Sequence, residues 1–211
     1  HSPEALAVLR LSSKSHWDLP LDLGRGRRVH LLAAHPTPPA FDGPERRNVL
    51  RNHDEIRFWA DYVTPGAGSY IYDDRGGYGG LPADVPFVIA GDLNADPEDG
   101  DAHPKAITRL LEHPRVVDVR PSSQGGRGAA RSQGGAGERH RGDPGMASAD
   151  FVDEPGPGNL RVDYVLPSRD LVPRSSGVFW PTVDDPLYRL TGDRSFPSSD
   201  HRLVWVDLVC P

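Results

Sequence analysis

Two short segments hold most of the residues equipped for polar chemistry. Gly91-Asp92-Leu93-Asn94 follows the apolar run Pro86-Phe87-Val88-Ile89-Ala90, and alternation along an extended chain points Asp92 and Asn94 to one side. A carboxylate beside a neutral amide can hold a water and a phosphoryl oxygen together. Asp92 supplies charge for the water or a metal, and Asn94 donates N–H without adding negative charge. The same residues equally suit an Asx turn capping a helix. The second segment, Ser199-Asp200-His201, precedes the apolar run Leu203–Val209. Adjacent residues on a strand point opposite ways, so Asp200 need not orient His201. Asp163, within Arg161-Val162-Asp163-Tyr164-Val165-Leu166, is a better orienter, because an unpaired carboxylate among apolar residues is costly. Pairing it with His201 would fix the tautomer and raise the imidazole's basicity. A purely structural Asp–His bond between two strands explains the same pair. His35 ends the run Val29–Ala34 immediately before Pro36, which keeps the backbone extended there. These strand-end residues converge if their strands share a sheet edge, and a matched set is less easily structural than one histidine.

Taken together, His35-Pro36, Gly91-Asp92-Leu93-Asn94, Arg161-Val162-Asp163-Tyr164 and Ser199-Asp200-His201 resemble the endonuclease/exonuclease/phosphatase superfamily in order and approximate spacing, over about residues 10–211. That group includes DNase-I-like nucleases, inositol-polyphosphate phosphatases and sphingomyelinases. The resemblance implies an α/β (α+β) fold, a DNase-I-like four-layer sandwich of two packed sheets flanked by helices. It also implies a divalent-metal-dependent phosphoester hydrolase using in-line attack of water. Asp92 would position or deprotonate the water, and Asn94 would steady the phosphoryl oxygens. His201, held by Asp163, would stabilise transition-state charge or carry a proton, and His35 would contact the scissile phosphate or assist the leaving group. Asp200, with Asp92 and Asn94, would bind the metal, expected to be Mg²⁺ with Mn²⁺ or Ca²⁺ as alternatives.

One departure from the family pattern bears on activity. Nothing before His35 matches the family's Asn on its opening strand or its Glu metal ligand, and Glu4 lies too near the start. Residues 1–211 therefore read as the C-terminal portion of one such domain, with the early strands missing or supplied by a partner chain. The competing reading is a non-catalytic binding or scaffold fragment of the same fold. Within the enzyme class, a small-molecule or lipid-headgroup phosphoester is preferred over nucleic acid, since the net charge is −6 and the sequence pI about 5.8. A secreted or cell-envelope location follows from the family resemblance alone.

The elements that must position these residues are legible as apolar runs. Val29–Ala34, Pro86–Ala90 and Leu203–Val209 read as buried strands, and Arg161–Leu166 as a strand facing Val162, Tyr164 and Leu166 inward. Ser15–Leu23 and Val29–Ala34 flank Gly24-Arg25-Gly26, a hairpin connection. Glu45–Val63 reads as a helix between Pro44 and Pro65, with Val49, Ile56, Trp59, Ala60 and Val63 near one face, and Ala106–Glu112 as a shorter one. Residues 4–9 suit a short helix or strand leading into the core. Gly, Ser and Arg dominate 121–149, which reads as a mobile surface loop.

Other conspicuous groups carry structural readings. Arg46, Arg47, Asn48, Arg51, Asn52 and His53 suit a solvated helix surface better than a phosphate-reading face, and Glu98, Asp99 and Asp101 a solvated acidic loop. Trp17, Trp59, Trp180 and Trp205 are expected in core or rim packing. A chain of 211 residues with Gly 23 and Pro 22 favours short strands and irregular loops in one domain. Cys210 is the sole cysteine, which excludes an internal disulfide and a Cys-rich zinc site. No run approaches the ~20 apolar residues of a membrane-spanning helix, and the start at His1-Ser2-Pro3 reads as a cut.

Overall fold

The computed structural model describes residues 2–192 and 197–209, so Cys210 lies outside them. After a short helix α1 (Pro3–Leu6), the strands β1 (His16–Asp22) and β2 (Arg28–Ala34) form the expected antiparallel hairpin. The helix α2 (Arg47–Val63) then crosses to β3 (Phe87–Asp92), which lies parallel to β2, as a crossover connection requires. The chain continues through α3 (Ala106–Leu111), α4 (Gln124–Gln133) and the two-residue strands β4 (Ala149–Asp150) and β5 (Asn159–Leu160). It ends with β6 (Asp163–Pro167), β7 (Val172–Val178) and β8 (Val204–Val209). The principal sheet has the order β1-β2-β3-β6, and β4-β5 and β7-β8 form two-stranded ribbons.

The core follows from strand alternation. Leu32, Ile89 and Leu166 are register partners on three adjacent strands, and with Phe87 and Tyr164 they face Ile56, Trp59 and Val63 of α2 and Ile107 and Leu110 of α3. All of these side chains are at most 2% exposed. The opposite sheet face is different. Trp17, Leu19 and Leu21 alternate along β1 and remain 58%, 41% and 43% exposed, beside their partners Ala33, Leu31 and Val29. Asp92 and Asp163 point to that second face at the end of β3 and β6.

Helix α2 begins without a side-chain cap from Arg46, its N-cap residue. Instead the Asp42 carboxylate accepts from the amides of Asn48 (2.7 Å) and Val49 (2.8 Å), satisfying donors that the first turn leaves free.

Three expectations are corrected. The segment 121–149 is not a mobile loop: Ser123 caps α4 by accepting from the Gly126 amide at 3.0 Å. Gly is a poor helix former, which hid this helix. Here glycine is needed for close approach, since a Cβ at Gly125 would lie 2.1 Å from the Trp180 carbonyl oxygen. The run Leu203–Val209 forms a strand but not a buried one, with Trp205 and Val209 38% and 39% exposed. Residues 4–9 do not enter the core, as Leu6 and Val8 stand in solvent. The tryptophans divide between core and rim, with Trp59 and Trp180 buried and Trp205 packed at the edge against Gly177, while Trp17 is 58% exposed.

Gly91 adopts φ 147°, and a Cβ there would sit 2.0 Å from the Ala34 carbonyl oxygen. Gly91→Ala combines overpacking with a backbone that L-residues avoid, and is expected to cost about 3 kcal/mol. Urea denaturation checks this through a lowered midpoint at unchanged slope.

Candidate active site

The register of β3 and β6 places Asp92 directly opposite Asp163. Beyond β3, Asn94 turns into a left-handed conformation (φ 50°), which Asn tolerates better than most residues. The Asp92 carboxylate holds this turn, accepting from the Asn94 amide at 2.9 Å through Oδ1 and from Asn94 Nδ2 at 3.1 Å through Oδ2. Asn94 Nδ2 also donates to the Pro36 carbonyl at 3.1 Å, which joins this turn to the loop carrying His35. The Asx turn and the proposed chemical pair are thus one structure.

His201 enters from the chain before β8. A bridge between Ala149 and His201 and the bond from the Arg202 amide to the Ser148 carbonyl fix its backbone. Its Nδ1 donates to Asp163 Oδ2 at 2.9 Å, so Nε2 faces Asp92 Oδ2 at 4.0 Å. His35 Nε2 approaches the same Asp92 oxygen at 3.3 Å. His35, Asp92, Asn94 and His201 line one cavity of about 400 Å³, with Asp163 behind His201. Asp200 is not brought into this group. Its carboxylate meets the Ser199 hydroxyl at 3.5 Å and acts electrostatically on His201 and Arg202, and its carbonyl accepts from the Asp150 amide.

Burial and the facing Asp163 push the Asp92 carboxyl above its usual range, against the Asn94 amide and the two histidines, which favour its charge. For His201 the hydrogen bond to Asp163 is the largest influence and raises the imidazole above its ordinary value of 6.5, outweighing desolvation. Both shifts have the same sign, Asp92 through burial and the facing carboxylate and His201 through its hydrogen bond to Asp163.

Among the described residues, Asp92, Asp163 and His201 present ligand atoms that all lie within 4.8 Å of one another. Two carboxylates and an imidazole at a cavity wall suit a hard divalent cation whose remaining positions are filled by water. Asn94 can offer only its amide oxygen, since its nitrogen is committed to Asp92 and Pro36.

Three supporting residues gave no recognisable signal in the sequence. Asn52 is fully buried on α2 and donates to the carbonyls of Thr37 (2.9 Å) and Leu93 (3.0 Å), hanging the loops that carry His35 and Asn94 from one amide. Glu55, also fully buried, accepts from the Ser13 and Thr37 amides, each at 2.6 Å. Ser148 donates to Asp163 Oδ2 at 2.8 Å and accepts from the Val162 and Asp163 amides. The solvated surface expected for 46–53 therefore fails at Asn52. The acidic loop likewise fails at Asp99, whose nearly buried carboxylate accepts from the amides of Arg141 and Gly142. Period and composition could not separate these from surface polar residues.

One wall of the cavity is conspicuous for its backbone. Phe41 is 100% exposed with φ 57°, a conformation that costs an L-residue on the order of 1–2 kcal/mol. Asn48 Nδ2 on the Ala40 carbonyl and Asp42 on the first turn of α2 hold it from both sides.

A family model described as the endonuclease/exonuclease/phosphatase family matches residues 10–201. The chain belongs to that family. Among solved structures, an endonuclease/exonuclease/phosphatase from Beutenbergia cavernae shares 17% identity at a TM-score of 0.50, covering 90% of this chain and 38% of that one. A family protein from Leptotrichia buccalis shares 13% (TM-score 0.46; 91% and 52% covered), and sphingomyelinase C from Streptomyces griseocarneus shares 15% (0.39; 90% and 52%). This chain thus spans about half or less of the length of these structures. No curated protein matches. The fold is DNase-I-like, as the sequence motifs implied.

The raised His201 pKa has a definite sign for stability. The folded chain binds the proton more tightly than the unfolded one, so this contribution is fully present below pH 6.5 and is lost as pH rises through the folded value. Asp163→Asn removes the leading cause. The His201 titration, followed by NMR in metal-free protein, should move to lower pH; an unmoved titration would exclude the pairing as its origin.

Proposed function

We propose that this site hydrolyses phosphoesters by direct attack of water, and that residues 1–211 form part of one domain of this kind. The observation that supports this reading is the convergence of His35, Asp92, Asn94 and the Asp163-held His201 on one cavity. A divalent cation, Mg²⁺ by its preference for carboxylate and water, with Mn²⁺ or Ca²⁺ as alternatives, would supply Lewis-acid charge beside Asp92. Asp92 orients the attacking water and accepts its proton, its carboxylate already fixed by Asn94. His201 Nε2 faces the reacting centre because Nδ1 is committed to Asp163, so it donates a proton or stabilises charge on the phosphoryl oxygens. His35, half-exposed at the cavity edge, reaches the leaving-group side.

A small or lipid-headgroup ester fits this reading better than a nucleic acid, since the chain is acidic overall. A secreted or cell-envelope location, carried from the family resemblance, belongs with it. Among the described residues, no helix is long and apolar enough to cross a membrane. The exposed row Trp17, Leu19 and Leu21 supports a further apolar layer on the second sheet face, contributed by additional chain or by a partner. One observation favours the second reading, a non-catalytic binding or scaffold piece: no glutamate joins the Asp92, Asp163 and His201 group among the described residues.

Turnover of bis(p-nitrophenyl) phosphate, p-nitrophenyl phosphate and plasmid DNA with Mg²⁺, Mn²⁺ or Ca²⁺ separates these readings. The small esters should be cleaved in preference to DNA, and His201→Ala and Asp92→Ala should each lower kcat at least about 10²-fold. Near-normal turnover in either variant would remove that residue from the catalytic set. Absence of turnover with every metal would favour the binding piece.

A further inference from the structure

The catalytic cavity has a second character besides its polar floor. On the His201 side its wall is apolar: Leu160 and Val162 are buried in one small cluster, and Phe151 packs on that cluster with its ring 5.5 Å from the His201 ring, edge to face. On the His35 side the wall is Pro38-Pro39-Ala40-Phe41. Two consecutive prolines restrict that segment before any ligand arrives. Phe41 then stands wholly in solvent in a left-handed backbone, for which a bulky side chain is a marked outlier. The hydrogen bonds on both sides, from Asn48 to Ala40 and from the start of α2 to Asp42, leave the ring no route into the core. Strained, over-determined residues of this kind cluster at ligand clamps.

We propose that Phe41 is a specificity-determining residue, and that it and Phe151 bound a subsite for an aromatic group esterified to the phosphate. This rests on the phosphoester reading above and names its substrate class: compact phosphoesters carrying a flat apolar substituent next to phosphorus. The cavity volume, about 400 Å³, accommodates a phosphoryl group and one ring. Flat aromatic rings gain from edge or offset contact with Phe, which a methyl substituent does not reproduce. Asp101 on the same lining gives no attraction for a second phosphate, which separates this class from polyphosphorylated substrates.

The test is binding, so that it stands apart from catalysis. Phenylphosphonate and methylphosphonate, which water cannot hydrolyse at phosphorus under these conditions, are titrated into the whole chain with Mg²⁺ by calorimetry or ³¹P NMR. The chain should bind phenylphosphonate about ten-fold more tightly, Phe41→Ala should reduce this preference at least about five-fold, and Phe41→Trp should retain it. Equal affinity for the two phosphonates, no detectable binding of phenylphosphonate, or a preference undiminished in Phe41→Ala would each overturn the proposal. A preference found together with absent ester turnover would sustain the subsite and sink the hydrolytic reading instead.

Discussion

Two carboxylates facing each other across a sheet register are the constraint around which this molecule is arranged. Asp92 and Asp163 are direct partners on antiparallel strands, where like charges oppose each other and destabilise the pair. The fold answers by inserting His201, whose Nδ1 binds one carboxylate while Nε2 faces the other. It also brings His35 and the Asn94 amide to Asp92, and the Ser148 hydroxyl to Asp163. Each of these partners arrives from a different part of the chain. The repulsion is relieved by these donors, and the same donors line the cavity that the proposed chemistry would use.

The scaffold behind this pair is correspondingly rigid. Asp92 stands at the end of β3, whose other residues carry the core through Phe87 and Ile89. Gly91 lets the strand turn against Ala34, which brings His35 to the same edge. Tyr164, two residues from Val162 and buried in the core, donates its hydroxyl to the Ala95 carbonyl at 2.7 Å and closes the loop after Asn94 from below. Side chains on α2 and β6 therefore hold the loops that carry His35 and Asn94.

Much of this was legible in the residues. Alternation in Arg161–Leu166 and the apolar run ahead of Gly91 announced β6 and β3, and the expense of an unpaired Asp163 pointed to His201 before any contact was visible. Strand β7 was not legible, because Arg174, Ser175 and Ser176 interrupt its apolar pattern and it gains order only by pairing with β8. Helix α4 was hidden because Gly125 and Gly126 lower helix propensity locally while permitting contact with Trp180 and Pro144. Asp200 looked like a ligand beside His201; its carboxylate is not among the ligand atoms that Asp92, Asp163 and His201 bring within 4.8 Å of one another. Buried polar residues such as Asn52 and Glu55 resemble surface residues in sequence, and only tertiary packing distinguishes them.

The Asn52 clamp has a mechanical consequence. One amide nitrogen grips carbonyls of both loops that carry His35 and Asn94, and its helix also supplies Glu55 to the first of them. The two rims of the cavity therefore cannot open independently: a shift of α2 along its axis carries both loops in the same direction. The two rim loops keep their mutual spacing when α2 shifts against the sheet. Pressure applied to the outer face of that helix would therefore move both rims as one body and leave the gap between them unchanged.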